Sequence, residues 1–329
     1  MKHGANIYKY AKRIGCEPNE LIDFSSNINF YQPTTELTLN ANTISKYADS
    51  SYKKLKEVIA KNYAIDTKQI ALYNGATAAI YALLNSIKRK DVFLYTPLYG
   101  EYEKACMKKN IYKINRITDM HHQPTEDAVV IFVNPSTPEG EYHNLKELMG
   151  MWMDKNCTII LDESFLEFEA LKSYKDEINN YKKLYIVQSF SKFYSCGGVR
   201  IGAIFAHKKS IKKLQTPLWN ISSFDEAFLK ERLKDEDFKT KSRELHKIQK
   251  QELQNILENS GLFDEIAESQ SNFILTHSSR GEELYEHLLK NKILVRKCES
   301  FDYLSNDWLR FAVKDEESHK ALQEGLQKF

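Results

Sequence analysis

Four short stretches decide how this chain folds: Val129-Val130-Ile131-Phe132-Val133, Thr158-Ile159-Ile160-Leu161, Leu184-Tyr185-Ile186-Val187 and Ile201-Gly202-Ala203-Ile204-Phe205. Each is short, rich in β-branched or aromatic residues, and apolar at nearly every position rather than at alternate ones. A strand that is apolar on both faces belongs inside a sheet covered on both sides, the usual condition of parallel strands. Val92-Phe93-Leu94-Tyr95 reads the same way. Helix-period segments accompany these runs. Tyr52 to Tyr63 puts Leu55, Val58, Ile59 and Tyr63 on one face, and Ala76 to Ile87 does so with Ala79, Leu83, Leu84 and Ile87. This alternation predicts an α/β fold, a large domain with a mostly parallel sheet flanked by helices.

The texture changes after Pro217. Residues 226–258 read as one long charged helix with Leu229, Leu233, Leu245, Ile248, Leu253 and Ile256 as its apolar stripe, its charges forming a solvated face. Beyond it, Asn272-Phe273-Ile274-Leu275, a helical 281–290, Ile293-Leu294-Val295 and Trp308 to Val313 predict a smaller α+β domain. The expected division is a segment 1–40 packing with the small domain, a large domain 41–215 and a small domain 216–329.

Composition narrows the class. With 329 residues, 47 Lys plus Arg against 45 Asp plus Glu and a formal charge of +2, the chain carries no basic footprint for nucleic acid. No apolar run approaches the ~20 residues of a membrane span, and the N-terminus lacks the apolar core of a signal peptide. Cys16, Cys106, Cys157, Cys196 and Cys298 are odd in number and far apart, which suits reduced thiols in the cytoplasm better than disulfides or zinc. His121-His122 has no further ligand nearby in sequence and reads as surface loop.

Ligands of open α/β sheets bind at the carboxyl ends of the strands. There the chain places Asp162-Glu163-Ser164 after Leu161, and Gln188-Ser189-Phe190-Ser191-Lys192 after Val187, with Arg200 eight residues past the lysine. Val133 leads into Asn134-Pro135-Ser136-Thr137-Pro138-Glu139-Gly140. Asn74-Gly75-Ala76-Thr77 opens a helix whose free N–H groups suit a phosphate. A lysine, an aspartate, two serines, an arginine and a helix N-terminus form the set that pyridoxal phosphate requires: an amine for its aldehyde, a carboxylate for its pyridine nitrogen and donors for its phosphate.

The order of these pieces resembles the aspartate-aminotransferase-like superfamily (fold type I of the pyridoxal-phosphate enzymes) over nearly the whole chain. Within it the resemblance is strongest to threonine-phosphate decarboxylases and histidinol-phosphate aminotransferases. It implies that Lys192 carries the cofactor, that Asp162 partners the pyridine nitrogen, and that Gly75, Ala76, Thr77, Ser189, Ser191 and Arg200 form the phosphate cup. It further implies that Tyr99 stacks on the pyridine ring, and that Tyr47, in a homodimer, reaches the partner's cofactor phosphate. Cys196, near Lys192, is expected to be a small buried apolar residue. A transcription regulator of this fold would need a DNA-binding domain for which the segment before the Tyr52 helix is too short.

Three features lean toward the decarboxylases. His3-Gly4-Ala5-Asn6 followed by Asp23-Phe24-Ser25-Ser26-Asn27 resembles their opening. Phe165 stands where the aminotransferases usually carry Tyr. Arg296 and Arg310 match a pair of substrate-anion arginines, and two guanidinium forks suit a substrate with both a carboxylate and a phosphate. His3, Asn27, Arg296 and Arg310 are therefore the expected substrate residues. One departure accompanies them: Thr137 replaces the asparagine that usually donates to the cofactor's phenolic oxygen, which disfavours efficient transamination. The resemblance implies a decarboxylase of threonine phosphate or serine phosphate, yielding an amino-alcohol phosphate for cobamide assembly in the first case. The alternatives are an aminotransferase of the histidinol-phosphate type and a non-catalytic protein of the same fold.

Overall fold

The computed structural model describes residues 6–32 and 45–329. Its central sheet has seven strands, in the spatial order β2 (Ile70–Asn74), β8 (Ile201–Ala206), β7 (Leu184–Ser189), β6 (Thr158–Asp162), β5 (Val129–Val133), β3 (Asp91–Thr96) and β4 (Asn110–Asn115). All are parallel except β8, which runs against both β2 and β7. The exception follows from the connection. Residues 190–200 lead from β7 to β8 without a regular helix, and a parallel return needs a longer crossover.

The α/β architecture expected from the apolar runs is present, and both faces of the sheet are buried in side chains. One face holds Phe93, Tyr95, Phe132, Leu161 and Trp152, whose indole N–H donates to Tyr95 Oη at 3.1 Å. The other packs Leu94, Ile131, Ile160, Val187 and Ile204 against Ala79, Ile80, Leu83 and Leu84 of the helix Gly75–Ser86. β2 and β4 carry weaker signals. β4 is an edge strand with an exposed Lys113, so it lacks the two-sided apolar pattern.

A second, antiparallel sheet has the order β12 (Arg296–Lys297), β13 (Trp308–Ala312), β10 (Phe273–His277), β9 (Glu265–Ile266). Near it β1 (Ile22–Asp23) pairs in parallel with β11 (Ile293–Leu294), which brings an early segment of the chain beside its last third.

The single helix expected over 226–258 is two helices, Ser223–Lys234 and Glu236–Ser260. Asp235 separates them: its backbone leaves the helical region and its carboxylate accepts from Phe238 N at 2.9 Å. That is an N-cap, a feature that starts a new helix. The stripe also differs. Ile248 is exposed and Leu245 half-buried, while Phe238, Ser242, His246, Leu253 and Leu257 form the buried line. Phe238 belongs to the core of the large sheet, and Leu253, Ile256 and Leu257 to that of the small one, so one helix ties the two together.

Candidate active site

The carboxyl ends of the parallel strands open onto a cavity of about 520 Å³. Among its lining are Lys192, Asp162, Thr77, Tyr99, Ser189 and Ser191, joined by Ala76, Thr137, Arg200, Asn27, Arg296 and Arg310. The geometry thus gathers residues spread over nearly three hundred positions.

Asp162 ends β6 in the middle of the sheet. Its Oδ1 accepts from Ser164 N at 2.9 Å and its Oδ2 from Tyr102 Oη at 2.8 Å, so the buried carboxylate is fixed at both oxygens. Lys192 follows β7, and its Nζ lies 4.9 Å from the centroid of the Phe165 ring. Burial lowers the lysine's proton affinity; Asp162 opposes this, and Arg200 and Arg310 add to it. A lysine held this way gives up its proton more easily than a free one, and the neutral amine is the form that attacks an aldehyde.

Around Gly75 the chain forms an anion cradle. Gly75 has φ +80, and a Cβ there would stand 2.7 Å from Arg200 Nη2, so only glycine admits the guanidinium at this helix start. Arg200 Nη1 donates to Ser191 Oγ at 3.3 Å and to Gly197 O at 3.1 Å. Gly202, on β8, allows the close approach of the same helix: a Cβ there would lie 2.3 Å from Ala76 N. Thr77 Oγ1 and Tyr99 Oη are 3.3 Å apart and share a hydrogen bond. Burial raises the Tyr99 phenol, keeping it neutral.

The other end of the cavity is cationic. Arg296 and Arg310 are both buried. Arg310 Nη1 donates to Thr137 Oγ1 at 3.2 Å and Nη2 to Ser25 O at 3.3 Å, while Nε has no partner. Its guanidinium lies 4.6 Å from the Phe273 ring, and burial above all pulls its pKa down to about 10. Arg296 Nη2 donates to Ser300 Oγ at 2.7 Å. Thr137, acting as acceptor to Arg310, keeps its own proton free to donate. Lys192 and three arginines face a single carboxylate, Asp162, among the described lining residues, so the cavity is built for anions.

His3 lies outside the described residues. Tyr47 is exposed and stacks on Trp219 at 4.6 Å, away from this cavity. Sequence reasoning missed Tyr102, although its spacing from Tyr99 across a helix start puts both on one side. It also missed Ser25, Ser26, Ile28, Ser300 and Phe301. These sit on irregular segments, where no periodicity marks a residue as facing inward.

Residues 19–326 match the family model for class I and II aminotransferases. The chain belongs to that family. As a member it is an enzyme that uses pyridoxal phosphate, and the residues fit that cofactor: a cradle at Gly75, a fixed carboxylate, and a half-buried lysine lining the same cavity. The chain is 30% identical to the adenosylcobalamin biosynthesis bifunctional protein CobDQ of Leptospira interrogans, over 98% of its own length and 40% of that protein's. It therefore spans less than half of that relative. The threonine-phosphate decarboxylase of Salmonella typhimurium is 24% identical over 98% of this chain and 95% of that one. Among solved structures, the histidinol-phosphate aminotransferase of Clostridium acetobutylicum superposes with a TM-score of 0.80 at 27% identity, covering 93% of this chain and 98% of that one. Among the described residues, no helix is long and apolar enough to cross a membrane.

Proposed function

We propose that this family member decarboxylates an O-phospho amino acid, threonine phosphate or serine phosphate, to the corresponding amino-alcohol phosphate. The observation that carries the reading is the pair of buried arginines, Arg296 and Arg310, facing Lys192 across one cavity. Two guanidinium groups suit a substrate that carries both a carboxylate and a phosphate. The Salmonella relative's name agrees with this substrate class, and the Leptospira relative's with a place in cobamide assembly.

On this reading Asp162, its position set by Tyr102 and Ser164 N, would hold the proton of the cofactor's pyridine nitrogen. Gly75, Ala76, Thr77, Ser189, Ser191 and Arg200 would hold the cofactor phosphate at the start of the Gly75–Ser86 helix, with Tyr99 against its ring. Pyridoxal phosphate, when bound, supplies the electron sink for the carbon whose bond breaks. The chain decides which bond that is. Arg310 or Arg296, with Asn27, would grip the substrate phosphate and fix the substrate's rotation, so that the carboxylate rather than the α-hydrogen is the group that leaves. Phe165, which lines the cavity and packs edge-to-face on Phe273 at 5.1 Å, would give that group an apolar wall. Lys192 then delivers the proton that replaces carbon dioxide. A cytoplasmic homodimer, with Tyr47 reaching the partner's cofactor phosphate, completes the proposal.

Transamination of histidinol phosphate is the second reading, favoured by the likeness to the Clostridium structure. Carbon dioxide release from phosphothreonine or phosphoserine tests the first: it should appear with the wild type and collapse in Arg310→Ala, and full release by that variant would refute the role given to the arginine.

A further inference from the structure

Residues 24–29 form no regular element, yet four of them, Ser25, Ser26, Asn27 and Ile28, line the active-site cavity. Four consecutive carbonyls of this strap are taken. Phe24 O accepts from Ala312 N at 2.9 Å, and Ser25 O from Arg310 Nη2 at 3.3 Å. Ser26 O accepts from Lys314 Nζ at 2.9 Å, and Asn27 O from Asn272 Nδ2 at 2.8 Å. Two residues on, Asn29 N donates to Lys192 O at 3.0 Å and Asn29 Nδ2 to Phe193 O at 2.8 Å. The strap thus joins the small sheet to the backbone of the lysine itself. Its start is fixed by Asp23 Oδ1, which accepts from Ser25 N, Ser25 Oγ and Ser26 N at 2.8, 2.6 and 3.2 Å.

Of the three side chains that hold the strap, only Arg310 lines the cavity. Lys314 and Asn272 stand behind it. Among the described residues no carboxylate lies within ion-pair distance of the Lys314 ammonium, on which Asp23 and Asp315 act from farther off, and its hydrogen bond goes to the Ser26 carbonyl. Asn272 is fully buried, and its Oδ1 has no partner. A buried amide and a charged amine directed at adjacent carbonyls constrain backbone more tightly than solvent would.

We propose that Lys314 and Asn272 are positioning residues for substrate selection. They hold the strap at the depth that lets Ser25, Ser26 and Asn27 meet a phosphate bound between the arginines and Lys192. The inference rests on the reading of the cavity as a phospho-amino-acid site, but the clamp itself can be measured without any substrate.

The experiment compares Lys314→Met and Asn272→Ala with the wild-type holoenzyme, with Lys314→Gln in reserve should the methionine variant fail to accumulate. Amide hydrogen exchange over 24–29 should quicken by about tenfold or more while exchange over 184–189 stays unchanged. The visible absorbance and affinity of the bound cofactor should also stay unchanged. KM for whichever phosphorylated substrate the enzyme accepts should rise by about tenfold, with kcat altered much less. Unchanged exchange over 24–29 would overturn the inference, as would quicker exchange with an unaltered KM. A wild type that turns over no phospho-amino acid would instead count against the proposed reaction, and the exchange result would still decide the clamp.

Discussion

At the scale of single residues, Lys192 bears the heaviest expectation. Lys192 is half-buried, its proton affinity is lowered by desolvation, and it lines a cavity otherwise rich in cations. Purified enzyme should absorb at roughly 410–430 nm, and borohydride should fix the cofactor's mass on Lys192. In Lys192→Ala both signals should vanish; retention of the fixed mass would show that another residue carries the cofactor. Other buried groups govern acid stability. Burial holds His143 at about 4, His246 at about 3 and His319 at about 4, against 6.5 for a free imidazole. These side chains stay neutral in the fold while the unfolded chain takes up protons below pH 6.5. Their contribution to stability is complete above pH 6.5 and is lost as pH falls through about 4 to 3. Glu163, raised by burial to about 7, works in the opposite sense, costing stability as pH rises from 4.5 to 7. Three imidazoles outweigh one carboxyl, so the unfolding midpoint should drop on acidification below pH 6.5, and less steeply in His246→Gln. A midpoint that is level over that range would contradict the assignment.

At the scale of elements, two joints decide how well the site is formed. The helix Gly75–Ser86 approaches β8 only because Gly202 has no side chain. Gly202→Ala should push back the helix start and weaken cofactor binding by about tenfold or more, read from titration of the visible band. Unaltered affinity would mean that the helix start contributes little to the phosphate cup. The break at Asp235 is the second joint. Asp235→Ala removes the cap on Phe238 N and should lower stability by about 1 kcal/mol in urea denaturation. These joints also mark what the sequence disclosed. β3, β5, β6, β7 and β8 were legible because burial on both faces makes every position apolar. The residues just past them, Asp162, Ser189, Ser191 and Lys192, were legible because strand ends are where such folds bind ligands. The cap at Asp235 was overlooked because an aspartate within a charged helical stretch resembles its neighbours. The strap was overlooked because its order comes from Lys314 and Asn272, hundreds of residues away, rather than from local pattern.

For the whole molecule, assembly is the first expectation. Tyr47, Leu218 and Trp219 expose large apolar surfaces, and Tyr47 and Trp219 stack on each other outside the cavity. Three such residues close together in sequence or in contact suit a partner. Sedimentation should give a dimer, and a stable monomer that still binds cofactor would remove Tyr47 from the proposed site. The reaction is the central claim, and one partition measurement tests it most directly. The holoenzyme is offered phosphothreonine and phosphoserine and, separately, histidinol phosphate with 2-oxoglutarate, while carbon dioxide and glutamate are both recorded. Carbon dioxide released from a phospho-amino acid in step with the amino-alcohol phosphate, with little glutamate, is the result predicted from two buried arginines facing Lys192. Glutamate formed from histidinol phosphate, with no carbon dioxide from either phospho-amino acid, would contradict it.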